Sequence, residues 1–402
     1  MVKRLAVLAP GVQRKDGVSN LERFQKEFGA GSDEEEEEGV SRKEQKAMDK
    51  EKKARAAKSA DFKALFEAGN TDDHFRLGLK LTRASIRLFT DFFSSDIIVA
   101  SPLGIVTRLE ANKGGPEEAD FLSSIELVIA DHVDVMMMQN WAHVVRVFEA
   151  INTMPKDAHD QDMMRVREWY LDGNAKHYRQ NILLSSFPCS ELNAVFHRHC
   201  CSHVGKVRLH LEMRGVLGKV LPKVRQTFER FEVKGGAANA DDARFDYFVK
   251  TMWPRIHASA TSQGILIFVR SYFDFVRLRN FLKKEDANVA LNHEYLDPRD
   301  VNRARSYFYN GDQRIMLVTE RAHFFRRQRI RGIRDVFFYS LPDREAFYVD
   351  VMNMLEEEGV GRGTSTCSVM FHRFDRLQLQ RVVGAQRSNK MIKDQETTFM
   401  FC

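Results

Sequence analysis

Apolar and polar positions change rhythm along the chain. Residues 1–75 show no sustained period, whereas from about residue 76 short apolar runs recur between polar or turn residues. Residues 96–102 (Asp-Ile-Ile-Val-Ala-Ser-Pro) form one run, closed by Pro102, and residues 125–131 and 181–186 form two more. Runs this short and this apolar are the pattern of strands buried on both faces. Between them Trp141, Val144, Val145 and Phe148 repeat at the spacing of one helical face, so residues 140–150 are predicted to be an amphipathic helix.

After a looser stretch the rhythm restarts. Strands are predicted at 264–269, 289–291, 314–319 and 336–339, with 367–371 closing the sheet. Helical spacing in Phe275, Leu278 and Leu282, and again over 299–309 and 346–355, falls between them. Buried strands alternating with amphipathic helices predict parallel sheets flanked by helices. The expected fold class is therefore α/β, as two tandem lobes: an N-terminal segment at 1–75, a first lobe at 76–215 and a second at 216–402. Residues 1–75 are too few for the strands a complete first lobe needs ahead of Asp96. That lobe is expected to be partial at its N-terminus, either because the chain starts after them or because the lobe is built minimally.

Composition changes this picture little. The chain has 402 residues, 43% hydrophobic and 29% charged, with a net charge of +6, which is ordinary for a globular protein. The charge is concentrated, however. Asp33 to Glu38 are six consecutive acidic residues, and residues 42–58 carry eight Lys/Arg against three acidic ones. Blocks of like charge repel and resist burial, so about 29–60 is expected to be a disordered insert: a solvated charge run, or a nuclear-import or RNA-contacting element. No stretch approaches the ~20 apolar residues of a bilayer-spanning helix, and the apolar run at 5–9 is too short for a secretory signal. Five cysteines, an odd count in a long chain, argue for reduced thiols. An intracellular, soluble protein is expected, with no membrane partner.

Longer motifs carry a resemblance. Asn302-Arg303-Ala304-Arg305-Ser306, the run Thr319-Glu320-Arg321-Ala322-His323-Phe324-Phe325-Arg326-Arg327, and Ile330-Arg331-Gly332-Ile333-Arg334 resemble the U3 small nucleolar RNA-associated protein 25 family, also called digestive organ expansion factor. So do Arg23 to Gly29, Asp73-His74-Phe75-Arg76, Ser94 to Gly104, and Met138-Gln139-Asn140-Trp141. The resemblance implies a nucleolar component of the small-subunit processome, partnered with U3 snoRNA, pre-ribosomal RNA and other processome proteins. It implies a fold similar to the two RecA-like lobes of DEAD-box helicases, with degenerate catalytic motifs.

The residues themselves bear on that degeneracy. A P-loop needs glycines whose amides cradle phosphate, a Lys that neutralises it and a hydroxyl for Mg²⁺. The two Gly-Lys pairs, Gly205-Lys206 and Gly218-Lys219, are each followed by Val and lack the upstream Gly. Where a helicase has Asp-Glu-Ala-Asp, this chain has Asp131-His132-Val133-Asp134, and a neutral or half-charged His is a poor ligand for hard Mg²⁺. Ser185-Ser186-Phe187 stands in place of Ser-Ala-Thr, its hydroxyls suited to capping a turn. The segment Tyr348 to Met354, where arginine fingers are expected, contains no arginine. No catalytic residue, cofactor, metal or small-molecule substrate is therefore expected.

A candidate RNA-binding segment is Arg321, His323, Phe324, Phe325, Arg326, Arg327, Arg329, Arg331 and Arg334. Residues 321–334 hold six arginines and no acidic residue. Following the strand 314–319, this cluster is expected at a strand's carboxyl end, the edge that ligands favour in α/β sheets. Guanidinium groups pair with phosphate and aromatic faces stack on unpaired bases. A protein-facing or merely solvated surface, with the two phenylalanines in the core, is the alternative. Arg299, Arg303, Arg305 and Arg314 add charge nearby. His197, His199, Cys200, Cys201, His203 and His210 have no Cys-x-x-Cys pair, and those on one helix point around it, so a zinc site is not expected. The functional expectation is a catalytically silent, helicase-like RNA- and protein-binding scaffold; an active ATP-dependent RNA helicase and a pure protein adaptor are the other readings.

Overall fold

Two units emerge from the chain, Met1–Val207 and Arg208–Cys402, in a computed structural model that describes residues 2–8, 17–29, 59–67, 69–110, 119–155, 162–209, 211–258, 263–355 and 365–402. The charged insert expected at about 29–60 lies outside the described residues except at its ends. Among the described residues no helix is long and apolar enough to cross a membrane.

In the first unit, β1 (Val18–Ser19), β2 (Arg76–Leu81), β3 (Ile86–Leu88) and β4 (Ile97–Ala100) form a mixed sheet in the order β1-β3-β2-β4. The pairing of β2 with both β3 and β4 is antiparallel. Gly78 lets β2 run close to its neighbour, because a Cβ there would meet the Thr90 carbonyl oxygen at 2.3 Å. Leu77, Leu79, Ile86 and Leu88 make the core of this sheet, and Val18 and Phe24 pack on it. Residues 17–29, aperiodic in sequence, thus belong to this packed sheet.

Two further strands, β5 (Leu127–Ala130) and β6 (Gln180–Leu183), pair in parallel as a separate sheet. One face is covered by the helix Trp141–Ala150, whose Val144 and Phe148 pack with Ala130, Val133 and Val195. The other face is open: Leu127 and Ile129 are 49% and 57% exposed. This corrects the expectation that 96–102, 125–131 and 181–186 are strands buried on both faces. All three runs contain strands, but β4 joins β2 in antiparallel fashion, β4 and β6 hold no fully buried residue, and nothing among the described residues covers the outer face of β5. An apolar run fixes the strand; what covers it depends on neighbours distant in sequence.

The second unit holds β7 (Arg225–Arg230), β8 (Ile265–Val269), β9 (Val289–Asn292), β10 (Ile315–Thr319), β11 (Asp335–Phe338), β12 (Thr366–Phe371) and β13 (Thr398–Phe401). They form one sheet in the order β13-β7-β12-β11-β8-β10-β9, parallel except for β13. Every residue of β8 and β10 is buried, as a central parallel strand covered on both faces requires. Successive side chains alternate between two cores. Leu266, Phe268, Met316, Val318, Val336 and Phe338 enter one, whereas Ile265, Ile267, Val269, Ile315 and Leu317 enter the other. The helices Tyr272–Lys284, Pro298–Asn310 and Glu345–Met352 lie between the strands as predicted.

One expectation fails here: β12 does not close the sheet. It lies inside, with β7 and β13 beyond it. Only Phe228 makes β7 look apolar; its Gln226 and Glu229 are buried but satisfied, Gln226 by the Tyr348 hydroxyl at 2.7 Å and Glu229 by Arg255 at 2.6 Å.

At the carboxyl end of β12 a buried ion pair locks the second unit. Arg244 donates to Asp375 Oδ2 at 2.6 Å and to the Tyr339 carbonyl at 2.9 Å, and His372 Nε2 lies 2.9 Å from the same guanidinium. Burial pushes His372 down to about 4, because the attraction of Asp375 only partly offsets desolvation and the neighbouring guanidinium groups. Burial alone would raise Asp375, but Arg244 holds it below the ordinary carboxylate value. The unfolded chain therefore takes up a proton at His372 below about pH 6.5 that the folded protein refuses until about pH 4. Stability of the second unit should fall over that window by about 3 kcal/mol. Urea unfolding from pH 7 to pH 4.5 should show the loss, and a His372→Phe variant, less stable at pH 7, should show a flatter dependence.

The acidic strand end and the arginine segment

The Asp131 to Asp134 segment leaves β5 through a tight turn. His132 adopts a left-handed conformation, φ 54°, uncommon for a residue with a Cβ. Its backbone N–H donates to Asp131 Oδ1 at 2.9 Å, and its Nδ1 lies 3.1 Å from the same oxygen. These two exposed side chains, 60% and 66% accessible, therefore turn on each other. Asp134 is buried, and its Oδ1 accepts the Ser186 N–H at 3.2 Å. The Val133 N–H donates to the Leu184 carbonyl at 3.0 Å. Asp134 thus fastens the end of β5 to the turn after β6. Ser185 donates to the Phe187 carbonyl at 2.7 Å, the turn-closing task anticipated for it.

A magnesium-bound triphosphate requires clustered oxygen donors and a neutralising cation. The side chains present at this turn do not fit it: one exposed carboxylate is paired to an imidazole and the other is buried in a structural bond. Lys206 spends its ammonium on the carbonyls of Phe196 and His197, both at 3.1 Å, near the end of the helix Ser190–Arg198. Lys219 lies in the 3-10 turn Leu217–Lys219. On the helix Glu345–Met352, Asp350 accepts from Arg327 Nη1 at 2.6 Å, so a carboxylate occupies the segment where arginine fingers were sought.

The arginine segment divides. Thr319 Oγ1 caps the helix Glu320–Arg326 by accepting the Ala322 N–H at 3.2 Å. Glu320, which is not among the candidate site residues, is buried and accepts the backbone N–H groups of Asp343 and Arg344 at 2.9 and 3.2 Å. Burial and the nearby Asp343 push its carboxyl well up. Arg321 reaches Glu294 at 3.6 Å. Arg326 donates to Asn292 Oδ1 and to the carbonyls of His293, Glu294 and Leu296, a clamp on the loop after β9. Arg327, with φ 41°, ends the helix and lies 4.6 Å from the Phe347 ring. His323 is buried, 3.3 Å from Asp350. Phe324 is 1% exposed, within the core, and Phe325 is half-buried against it.

Arg329 and Arg331 are exposed, and Arg334 is half-buried. They do not lie at the carboxyl end of β10. The helix Glu320–Arg326 carries the chain back along the sheet, and the Arg334 N–H donates to the Gly264 carbonyl, just before β8, at 2.8 Å. Gly332, φ +84°, lies close to Tyr309, near the end of the helix Pro298–Asn310. The Arg329 carbonyl accepts from Arg305 at 2.6 Å. The expected single cluster at one edge is thereby corrected: Arg321 and Arg326 stand at the carboxyl edge, and Arg331 and Arg334 at the amino edge. Arg314 donates to the Ile256 carbonyl at 2.9 Å, and Arg303 lies 3.5 Å from Asp300.

Of the histidines and cysteines at 197–210, His210 lies outside the described residues. Cys200 is buried, and His203 Nδ1 lies 2.9 Å from the His177 carbonyl. Among the described residues no group of three His, Cys, Asp or Glu could hold a metal.

Helix-flanked parallel strands make this an α/β protein. Residues 1–207 match the family description "UTP25, NTP hydrolase-like domain", and residues 216–401 match "Utp25, C-terminal domain". The chain belongs to the Utp25 family. It is 44% identical over 406 residues to Protein NUCLEOLAR FACTOR 1 of Arabidopsis thaliana, covering 100% of this chain and 52% of the relative. It is 44% identical over 365 residues to U3 small nucleolar RNA-associated protein 25 of Chaetomium globosum, covering 88% of this chain and 50% of that one. The chain thus spans about half the length of these relatives. A crystal structure of the E. coli DEAD-box protein SrmB is similar at 17% identity and a TM-score of 0.33, covering 40% of this chain and 85% of that one; likeness at that level carries no argument.

The two acidic residues should separate cleanly on mutation. Asp134→Ala leaves the Ser186 N–H without its carboxylate partner and should destabilise the first unit by about 1–3 kcal/mol. Asp131→Ala should change stability by no more than about 0.5 kcal/mol. Chemical denaturation followed by hydrogen exchange at β5 and β6 measures both.

Proposed function

We propose that this chain is a catalytically silent, helicase-like part of a nucleolar assembly, the small-subunit processome, that matures pre-ribosomal RNA for the small ribosomal subunit. It holds U3 snoRNA or pre-rRNA and neighbouring proteins rather than turning over a nucleotide. The names of its relatives, a nucleolar factor and U3 small nucleolar RNA-associated proteins, support the location and the assembly. The observation that carries catalytic silence is the fate of the acidic turn. Asp131 is tied to His132 and Asp134 to Ser186, so neither is arranged to hold magnesium or align a water.

RNA contact is assigned to the amino edge of the second unit's sheet. Exposed Arg329 and Arg331, with Arg334 beside them, can pair with phosphate. Arg321, Arg326 and Arg327, with His323 and Phe324, hold loops and core together and take no part in this contact. That internal use thins the cationic surface, which favours a second reading: a protein adaptor without RNA contact.

Full-length protein incubated with ATP and RNA should show no RNA-stimulated hydrolysis; robust turnover abolished by Asp131→Ala would establish an active helicase instead. Arg329→Glu with Arg331→Glu should weaken single-stranded RNA binding and flatten the log–log salt dependence by about 0.7 per lost phosphate contact. RNA binding unchanged by that pair, together with loss of protein partners, would support the adaptor.

A further inference from the structure

On the first unit four planar groups stand in a row at the amino ends of β5 and β6, the middle two stacked face to face. The Arg167 guanidinium lies 5.3 Å from the Trp169 ring. Trp169 and Tyr178 stack at 4.7 Å with 17° between their planes. Tyr178 and His203 follow at 4.7 Å, tilted by 44°. Tyr178 is 50% exposed, and Arg167 and His203 are exposed at the two ends.

The backbone beneath this ladder is held by bonds of its own. Arg167 Nη1 and the Tyr170 hydroxyl both reach Glu126 Oε1, at 2.8 and 3.4 Å, next to β5. The His203 N–H donates to the His177 carbonyl at 2.9 Å, and the Gln180 N–H to the Glu126 carbonyl at 2.9 Å. With these contacts positioning the three segments, the rungs stay outside the core: Trp169 is half-buried, Tyr178 is 50% exposed, and the outward faces at the two ends meet solvent. Exposed aromatic surface has a solvation cost, and a pre-aligned stack with free ends is what an unpaired base extends.

The charge around it is uneven: exposed Glu168 and Asp172 flank Trp169, whereas the His203 end is basic. No acidic residue occurs between Glu191 and Glu212, a stretch containing Arg198, Lys206 and four histidines, and exposed Lys176 precedes the Tyr178 rung. The one carboxylate bound into the ladder's base, Glu126, is neutralised by Arg167.

We infer that the Arg167–Trp169–Tyr178–His203 ladder is a stacking platform for unpaired bases of single-stranded RNA, separate from the arginine edge of the second unit. Aromatic faces accept any base, so the platform gives affinity for unpaired over duplex RNA rather than for one sequence. It rests on the reading that this protein contacts RNA, and adds where bases, as distinct from phosphates, are held.

Full-length protein titrated with an oligoadenylate should lose Trp169 emission, and a Trp169→Phe variant should lose that change while keeping most of the affinity. Tyr178→Ala should weaken binding about 5- to 150-fold, the range of one lost base stack, with Tyr178→Phe restoring it. Duplex RNA of the same length should neither quench nor be affected. If Arg329→Glu with Arg331→Glu weakens RNA binding while emission and Tyr178→Ala affinity stay unchanged, the platform is wrong and the RNA reading stands. If oligoadenylate does not bind the intact protein at all, both fall.

Discussion

Burial of β8 and β10 on both faces is the constraint from which the second unit follows. With every side chain of these strands removed from water, the sheet must carry helices on each side, and each parallel crossover must return the chain to the same edge. The helix Glu320–Arg326 is one such return. It begins at the carboxyl end of β10, where Thr319 caps it, and the following loop delivers Arg334 to Gly264. A basic sequence run that looks like one patch is thereby drawn out across the sheet and opened at both edges.

The sheet also explains why so few of those arginines remain available. A loop at a parallel sheet's edge leaves carbonyls without strand partners, and they need donors if they are buried. Arg326 supplies three such carbonyls with hydrogen bonds and Arg305 a fourth. The guanidinium fork suits this work because its donors are fixed in a plane and always charged. The same chemistry that recognises phosphate therefore serves as internal mortar, and composition alone cannot separate the uses. Position relative to the helix does: Arg326 and Arg327 end the helix and pack inward, while Arg329 and Arg331 lie beyond it.

Much of the fold was legible for a definite reason. Strands whose burial comes almost entirely from apolar side chains, β8 and β10 above all, announce themselves in sequence. Strands whose burial depends on paired polar groups do not. Gln226 and Glu229 read as surface residues until the Tyr348 hydroxyl and Arg255 are seen to satisfy them. The same limit applied to the site. Thr319 and Glu320 look like an ordinary strand end, yet one caps a helix and the other anchors the turn at Asp343. Nor could spacing show the stack of Trp169, Tyr178 and His203, which come from three segments brought together only by the sheet.

The acidic turn shows the opposite case, in which one residue decides what its neighbours bind. With His132 present, Asp131 has an adjacent imidazole and the turn's own N–H to bind. Both interactions favour its remaining on the turn, and neither leaves a cluster of oxygens for a hard divalent ion. Asp134 keeps a role that does not depend on nucleotide: it ties β5 to the turn after β6, in a two-stranded sheet open on one face. A small parallel pair of this kind has little stability of its own, so the side chain that joins its ends has a structural task. The presence of Asp134 is thus accounted for by the bond it makes across the sheet, independently of any chemistry at Asp131.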